Sequence, residues 1–288
     1  SSDRKEYLIM NIVMNLQGQW QFCLDKEKKG LNAHYELLTF KDTITLPSTV
    51  SEAGKGSPHD RKDTGHLTDP YEMEGYSWYQ KTLSLPVKEI SALSGKHFEL
   101  TLERTRISYV WVDGRFAGSQ DSFVAKHRYD LTGLITTLNP VITVMVSNTD
   151  YKVPGGHLTS PDTQTNWNGI LGEISLTIRE NIHIGTVDAR CRYEEKSILL
   201  KIPVRYYGSR PCPAVIRVNP VLCRLKDIYA EQDKIIPKGE NYEELLEYKP
   251  LPGEAVYLDV TLQPGENRFE VLQNLSEDPK LWNEEEPY

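Results

Sequence analysis

Tyr109-Val110-Trp111-Val112-Asp113-Gly114-Arg115-Phe116 sets an Asp-Gly pair between two runs of β-branched and aromatic residues. Period-two alternation marks a half-buried strand. Asp-Gly suits a two-residue type I′ turn, whose central residues both need positive φ. The spacing predicts a β-hairpin. Outward from it the same pattern recurs at Ser77 to Leu85, His97 to Leu102, Ser108 to Val112, Val141 to Val146 and Glu173 to Ile178, each run closed by Gly, Pro, Asn or Asp. Near Arg179 to Asn181 a fresh set begins: Ile182 to Tyr193, Ser197 to Tyr206, Ala214 to Cys223, Ala255 to Leu262 and Arg268 to Leu272. Helical periodicity is scarce, and its best stretch, Tyr242 to Tyr248, is too short to anchor a helical domain. The expectation is an all-β chain in two units. The second fits an immunoglobulin-type β-sandwich without the Cys…Trp…Cys spacing of antibody domains.

A chain of 288 residues has room for two such units, each with a core of its own. Its 33 Lys and Arg against 41 Asp and Glu give a net charge of −8 with no basic block, so nucleic acid and anionic membrane surfaces are not expected partners. No uninterrupted apolar run approaches the roughly 18 residues of a spanning helix. Ser1 to Asn11 lacks the basic start, apolar middle and cleavage site of a signal peptide, so any export leader is expected to lie before residue 1. Cys23, Cys191, Cys212 and Cys223 form neither a C-x-x-C nor a zinc spacing. A disulfide among the last three and buried free thiols both fit. No fixed-period repeat is present, which removes solenoids and propellers.

Two long polar segments, Pro47 to Gly75 and Asn148 to Asn168, resist assignment to strands. Loops of that length in a compact domain usually carry function or are disordered. P-loop, dinucleotide, zinc-protease, serine-hydrolase and EF-hand motifs are all missing. Glycoside hydrolysis needs a carboxylate pair at fixed separation, and 41 acids nominate none. His59, His66 and His157 stand singly in the loops and are read as solvated. The candidate ligand-binding residues are Asp162, Gln164, Asn166 and Trp167. Amides and a carboxylate pair with sugar hydroxyls while an indole covers the apolar C–H face. Against this stands a plainer reading, in which Trp167 plugs the core edge and the amides satisfy the loop's own backbone. Glu103 to Arg106 and Ser119 to Ser122 are also polar and strand-adjacent, and the arginines are read as members of ion pairs. The charged stretch Asp227 to Pro252 is read as an insertion between strands.

The segments also follow a known order. Leu16-x-Gly18-x-Trp20-x-Phe22-x-Leu24-Asp25, Leu46-Pro47, Tyr76-Ser77-Trp78-Tyr79-Gln80-Lys81, Val110-Trp111-Val112-Asp113-Gly114, Gly118-Ser119-Gln120-Asp121, Tyr129-Asp130-Leu131-Thr132 and Trp167-Asn168-Gly169-Ile170-Leu171-Gly172 resemble the N-terminal domain of glycoside hydrolase family 2. Leu281-Trp282 and Pro287-Tyr288 resemble that family's connector into a (β/α)₈ barrel. The resemblance implies a galactose-binding-like jelly roll over 1–180, an immunoglobulin-like sandwich over 181–275 and a connector over 276–288. In the family both catalytic glutamates belong to the barrel. The fragment is therefore expected to hold no catalytic residue, metal or cofactor and to be inactive alone, the parent being a glycosidase of β-galactosidase or β-glucuronidase type. Its implied partners are a carbohydrate and its own barrel, and family habit implies a periplasmic or secreted location. One jelly-roll loop is expected to reach the terminal sugar with an acidic residue just before Gly-Ile. Asp162 is the nearest carboxylate, Asn166 could take its place, and Asp121 sits in another motif of the series. Ser48 stands where Gly is usual, and Glu173 where Arg is common. A stand-alone carbohydrate-binding module and a structural or adhesive sandwich are the competing readings.

Overall fold

The computed structural model describes residues 11–59, 65, 67–90, 93–152, 156–160, 163, 165–225, 246–250, 255–276 and 284. The chain divides into two compact units, Ser1–Asn181 and Ile182–Tyr288. The first contains β1 (Ile12–Asn15), β2 (Gly18–Asp25), β3 (Asp42–Leu46), β4 (Ser48–Thr49), β5 (Ser57–Pro58), β6 (Tyr71–Glu72), β7 (Tyr76–Thr82), β8 (His97–Leu102), β9 (Ile107–Val112), β10 (Arg115–Gln120), β11 (His127–Asp130), β12 (Val141–Ser147), β13 (Gly169–Ile170) and β14 (Ile174–Arg179). They build a six-stranded sheet in the order β10-β9-β12-β7-β2-β3 and a four-stranded sheet in the order β1-β14-β8-β11. The chain passes repeatedly from one sheet to the other, as in a jelly roll.

The hairpin expected from Asp113-Gly114 is present. Both turn residues have positive φ, 48° and 75°, and Arg115 pairs with Val112. Val110, Val112, Ile142, Val144 and Val146 point inward from the large sheet and meet Leu100, Leu102, Ile174 and Leu176 of the small one. Side chains at the alternate positions lie on the sheet's other face. There Tyr76, Trp78, Trp111 and Met145 form a second cluster with Phe40, covered by Leu31 and Tyr35. Both faces of β12 are therefore buried, which explains why Val141 to Val146 reads as a nearly unbroken apolar run.

The first long segment is less bare than expected. Within Pro47 to Gly75, β4 pairs with β13 and β5 pairs with β6. Each of these strands has only two residues, too few for an alternation to show. The strands β2 and β3 also lay outside the runs named above, although Trp20, Phe22, Ile44 and Leu46 alternate with Gln19, Gln21, Thr43 and Thr45 and are buried.

The second unit holds β15 (Ile182–Ile184), β16 (Asp188–Arg192), β17 (Ser197–Tyr206), β18 (Cys212–Val218), β19 (Val221–Leu225), β20 (Leu246–Pro250), β21 (Val256–Leu262) and β22 (Gly265–Asn274). The long strand β17 pairs along its whole length with β22, while β16 and β15 share its other edge. Ile202, Val204 and Val271 from that sheet pack against Leu262, Ile216, Leu258 and Val260 from the β18–β21 pair, a two-layer sandwich. Two expected strands are each divided. Ile182 to Tyr193 breaks where Gly185 turns to donate its N–H to the Pro203 carbonyl at 2.9 Å, and Ala214 to Cys223 breaks at Asn219-Pro220. Within the stretch read as an insertion, Leu246–Pro250 is a strand paired with β19, with Val221 opposite Pro250. The rest of Asp227 to Pro252 lies outside the described residues. Cys23, Cys191 and Cys212 are free thiols, with Cys191 exposed.

Candidate functional site

The two long loops of the first unit meet. Val50 donates its N–H to the Asn168 carbonyl at 2.8 Å, and β4 lies antiparallel to β13 with Gly169 opposite Thr49. A Cβ on Gly169 would sit 2.4 Å from the Ser48 carbonyl oxygen, so this close approach requires glycine. Asn148 makes a second junction: it accepts the Gly75 N–H at 3.0 Å and donates to the carbonyls of Met73 at 2.6 Å and Asn166 at 2.8 Å.

Beside that junction stand the partly exposed rings of Trp167, Phe123 and Tyr151, grouped around one cation. The Arg106 guanidinium lies 4.1 Å from the Trp167 ring centroid and 5.3 Å from that of Phe123, and Phe123 meets Tyr151 edge-on at 5.1 Å. Arg106 was expected in an ion pair. Instead it donates to the carbonyls of Trp167, Leu158 and Thr165, and among the described residues no carboxylate pairs with it. Its sequence neighbour Glu103 is turned away, accepting the Glu173 N–H at 3.0 Å. Arg104 forms no ion pair among the described residues either, and its backbone takes a left-handed φ of 52°. Burial pushes the Arg106 pKa down.

Polar groups ring the aromatic cluster. The Tyr151 hydroxyl donates to Asn166 Oδ1 at 2.8 Å, and Asn166 Nδ2 donates to the Asn148 carbonyl at 3.1 Å and the exposed Glu74 carboxylate at 3.4 Å. Asp69, also from the first loop, bonds the Thr165 side chain, and burial pushes its carboxyl above the usual range. Asp121 pairs with Lys152 at 2.5 Å, which holds its carboxyl below that range. Behind it, Asp150 bonds Lys28 at 3.0 Å and the Tyr76 hydroxyl.

Of the five candidates, Asn166 and Trp167 belong to this cluster, and Asp121 reaches it through Lys152, the neighbour of Tyr151. Asp162 and Gln164 lie outside the described residues. The amides of Asn148 and Asn166 satisfy carbonyls of their own loop, while Asn168 donates to Val146 and Gly75 outside it. Asn168 Oδ1 has no hydrogen-bond partner among the described residues. Glu74, Asp69, Phe123 and Tyr151 escaped the sequence reading. Phe123 and Tyr151 carried a signal, being bulky rings inside otherwise polar stretches. The charge reversal at Glu173 is answered locally by Lys126 at 2.7 Å, which lowers the carboxyl pKa. Among the described residues no group of three or more His, Cys, Asp or Glu side chains is placed to hold a metal ion.

The segment carrying Phe123 is tethered by a buried histidine. The Ser122 carbonyl can only accept, so His127 Nε2 donates to it at 2.6 Å, and Nδ1 is left to accept from the Ser108 hydroxyl at 2.6 Å. Burial pushes the His127 pKa below its ordinary value. The unfolded chain then takes up the proton at higher pH than the folded one, so this stability is complete above about pH 6.5 and falls as the medium turns more acid. In His127→Gln, the dependence of the urea midpoint on pH between about 5 and about 7.5 is expected to flatten. Equal slopes in both proteins would exclude His127 as its source.

The family-2 glycosyl hydrolase sugar-binding domain matches over residues 13–179, more than half of the chain. The chain belongs to glycosyl hydrolase family 2. The first unit of this family-2 chain is thus the sugar-binding domain, and the aromatic cluster lies within the matched range. Comparison with solved structures gave the same fold. A Bacteroides uniformis β-glucuronidase is 16% identical with a TM-score of 0.63, covering 96% of this chain and 29% of its own. A family-2 member from Bacteroides cellulosilyticus gives 16% and 0.59, covering 96% and 33%. A further family-2 β-glucuronidase gives 16% and 0.60, covering 94% and 27%. The chain spans about a third of the length of these structures. No curated protein matches it in sequence. No helix among the described residues is long and apolar enough to cross a membrane.

Proposed function

We propose that the chain is the non-catalytic N-terminal portion of a family-2 glycosidase, of β-galactosidase or β-glucuronidase type. In this reading its second long loop forms one wall of a sugar site completed by a catalytic barrel, and the parent protein works in the periplasm or outside the cell. The observation that carries the reading is the partly exposed Trp167 ring beside Asn166 and Glu74, inside a sugar-binding domain. An indole face takes the C–H side of a pyranose, and the polar rim takes its hydroxyls. Both Asn166 N–H groups are already donated, so what the rim still offers is acceptors: the Glu74 carboxylate, a second lone pair on Asn166 Oδ1 and the Tyr151 oxygen. Acceptors suit sugar hydroxyls and disfavour a ligand carboxylate at this wall. Asp162 and Gln164 would extend the rim, and Asp121 its outer edge.

Purified chain incubated with nitrophenyl β-galactoside or β-glucuronide is expected to release no nitrophenol above the protein-free rate. Turnover near about 1 s⁻¹, ordinary for an enzyme, would overturn the non-catalytic assignment. Calorimetry with methyl glycosides is expected to give dissociation constants weaker than about 1 mM, since one wall forms only part of a pocket. Tighter binding would make the chain a stand-alone carbohydrate-binding module.

A further inference from the structure

Arg106 immediately precedes β9 and is 1% exposed, among the largest fully buried side chains of the first unit. A guanidinium keeps its charge at any physiological pH and is costly to strip of water. Packing alone would be served as well by methionine or leucine. What Arg106 adds is a planar fork. Nε donates to the Trp167 carbonyl at 3.2 Å, Nη1 to the Leu158 carbonyl at 2.6 Å and Nη2 to the Thr165 carbonyl at 3.4 Å. These acceptors span ten positions of one loop, and all three bonds start from a single rigid plane. The same plane lies against the Trp167 indole at 4.1 Å, so one group fixes both the path of the loop and one face of its tryptophan. The neighbouring Thr105 adds a bond from its hydroxyl to the Gly169 carbonyl at 2.8 Å, pinning the end of the loop to the sheet.

We infer that Arg106 is the positioning residue of this loop, holding Leu158, Thr165 and Trp167, with the Trp167 ring, from the edge of β9. That the ring so held faces a sugar rests on the function proposed above; the holding itself does not. A lysine delivers the charge as a point without the fork, and a methionine fills the volume without donors. Neither is expected to substitute.

The test uses the 288-residue chain labelled with 5-fluorotryptophan, which gives one ¹⁹F signal for each of its five tryptophans. Trp167→Phe identifies the Trp167 signal. In Arg106→Lys and in Arg106→Met that signal is expected to move towards the position of the free amino acid while the other four stay in place. Tryptic cleavage after Lys152, whose side chain is 84% exposed, is expected to quicken by about tenfold or more. An unmoved Trp167 signal with cleavage unchanged in Arg106→Met would overturn the inference, as would equal shifts of all five signals in a folded variant. Should the variants fail to fold, the wild-type chain labelled with ¹⁵N-arginine still decides. A bonded and stacked Arg106 gives guanidinium protons protected from exchange, and uniformly fast exchange across all arginines would refute it. A Trp167 signal in the wild-type chain that ignores methyl β-galactoside and methyl β-glucuronide even at about 200 mM, far above a millimolar dissociation constant, would count against the sugar reading and leave Arg106 in its role.

Discussion

Asn148→Ala is expected to destabilise the first unit by about 3–5 kcal/mol and to loosen both long loops together. The wild-type side chain is 0% exposed and serves three main-chain groups at once: the Gly75 N–H and the carbonyls of Met73 and Asn166. Alanine leaves all three without partners in a site closed to water, at about 1–3 kcal/mol each. Some of that loss returns as the loop ends relax towards solvent, which sets the range below the full sum. Asn148→Asp is expected to be no better, because a carboxylate keeps one oxygen as the acceptor for Gly75 but turns its other oxygen, which has no proton to donate, towards two carbonyls. Urea denaturation followed by far-ultraviolet dichroism measures both. A loss under about 1 kcal/mol in Asn148→Ala would mean the loops are held elsewhere.

Trp78→Ala is expected to cost about 3–5 kcal/mol, the range for removing a large buried ring. Trp78 is 0% exposed, stacks with Trp111 at a centroid distance of 5.3 Å, lies 5.7 Å from Tyr35, and donates its Nε1–H to Asp25 at 3.3 Å. Asp25 also accepts the N–H groups of Lys29 and Gly30, at 2.9 and 2.7 Å, so the indole is bonded to the residue that organises the covering segment. Gly30 lies so close that a Cβ there would approach the indole to 2.6 Å. The void left by alanine is thus walled on one side by the Gly30 main chain, which collapses poorly. Trp78→Phe is expected to recover about half the loss by restoring the stack without the donor. Differential scanning calorimetry reads both, and a Trp78→Ala loss under about 1.5 kcal/mol would show that the outer cluster contributes little.

The hairpin at Asp113-Gly114 was legible because its chemistry is local: two residues dictate the turn, and the flanking alternation dictates the faces. The all-β class followed from the same reasoning repeated along the chain. Elements of two residues, such as β4 and β6, carry no alternation to read. The junction at Asn148 was illegible for another reason. Its partners lie at Met73, Gly75 and Asn166, and nothing in a polar loop announces which distant carbonyl an amide will meet. Arg106 misled in an instructive way. Three positions from Glu103 it reads as half of an ion pair, yet the left-handed residue at Arg104 intervenes, the carboxylate goes to the Glu173 N–H and the guanidinium goes to loop carbonyls. The candidate site was legible as a composition, an indole among amides, but its acidic rim was not, because Glu74 and Asp69 arrive from the other loop.

That shared anchorage bears on how such a scaffold diversifies. With β4 paired to β13, and Asn148 tying both sides, residues 47–75 and 148–168 form one exchangeable cassette rather than two. A chimera that swaps in a cousin's second segment while retaining the resident first one must keep glycine at 169, where a Cβ would meet the Ser48 carbonyl, and an amide at 148 that fits Met73 and Gly75. Inheritance of new taste, in nature or at the bench, should therefore travel as matched pairs.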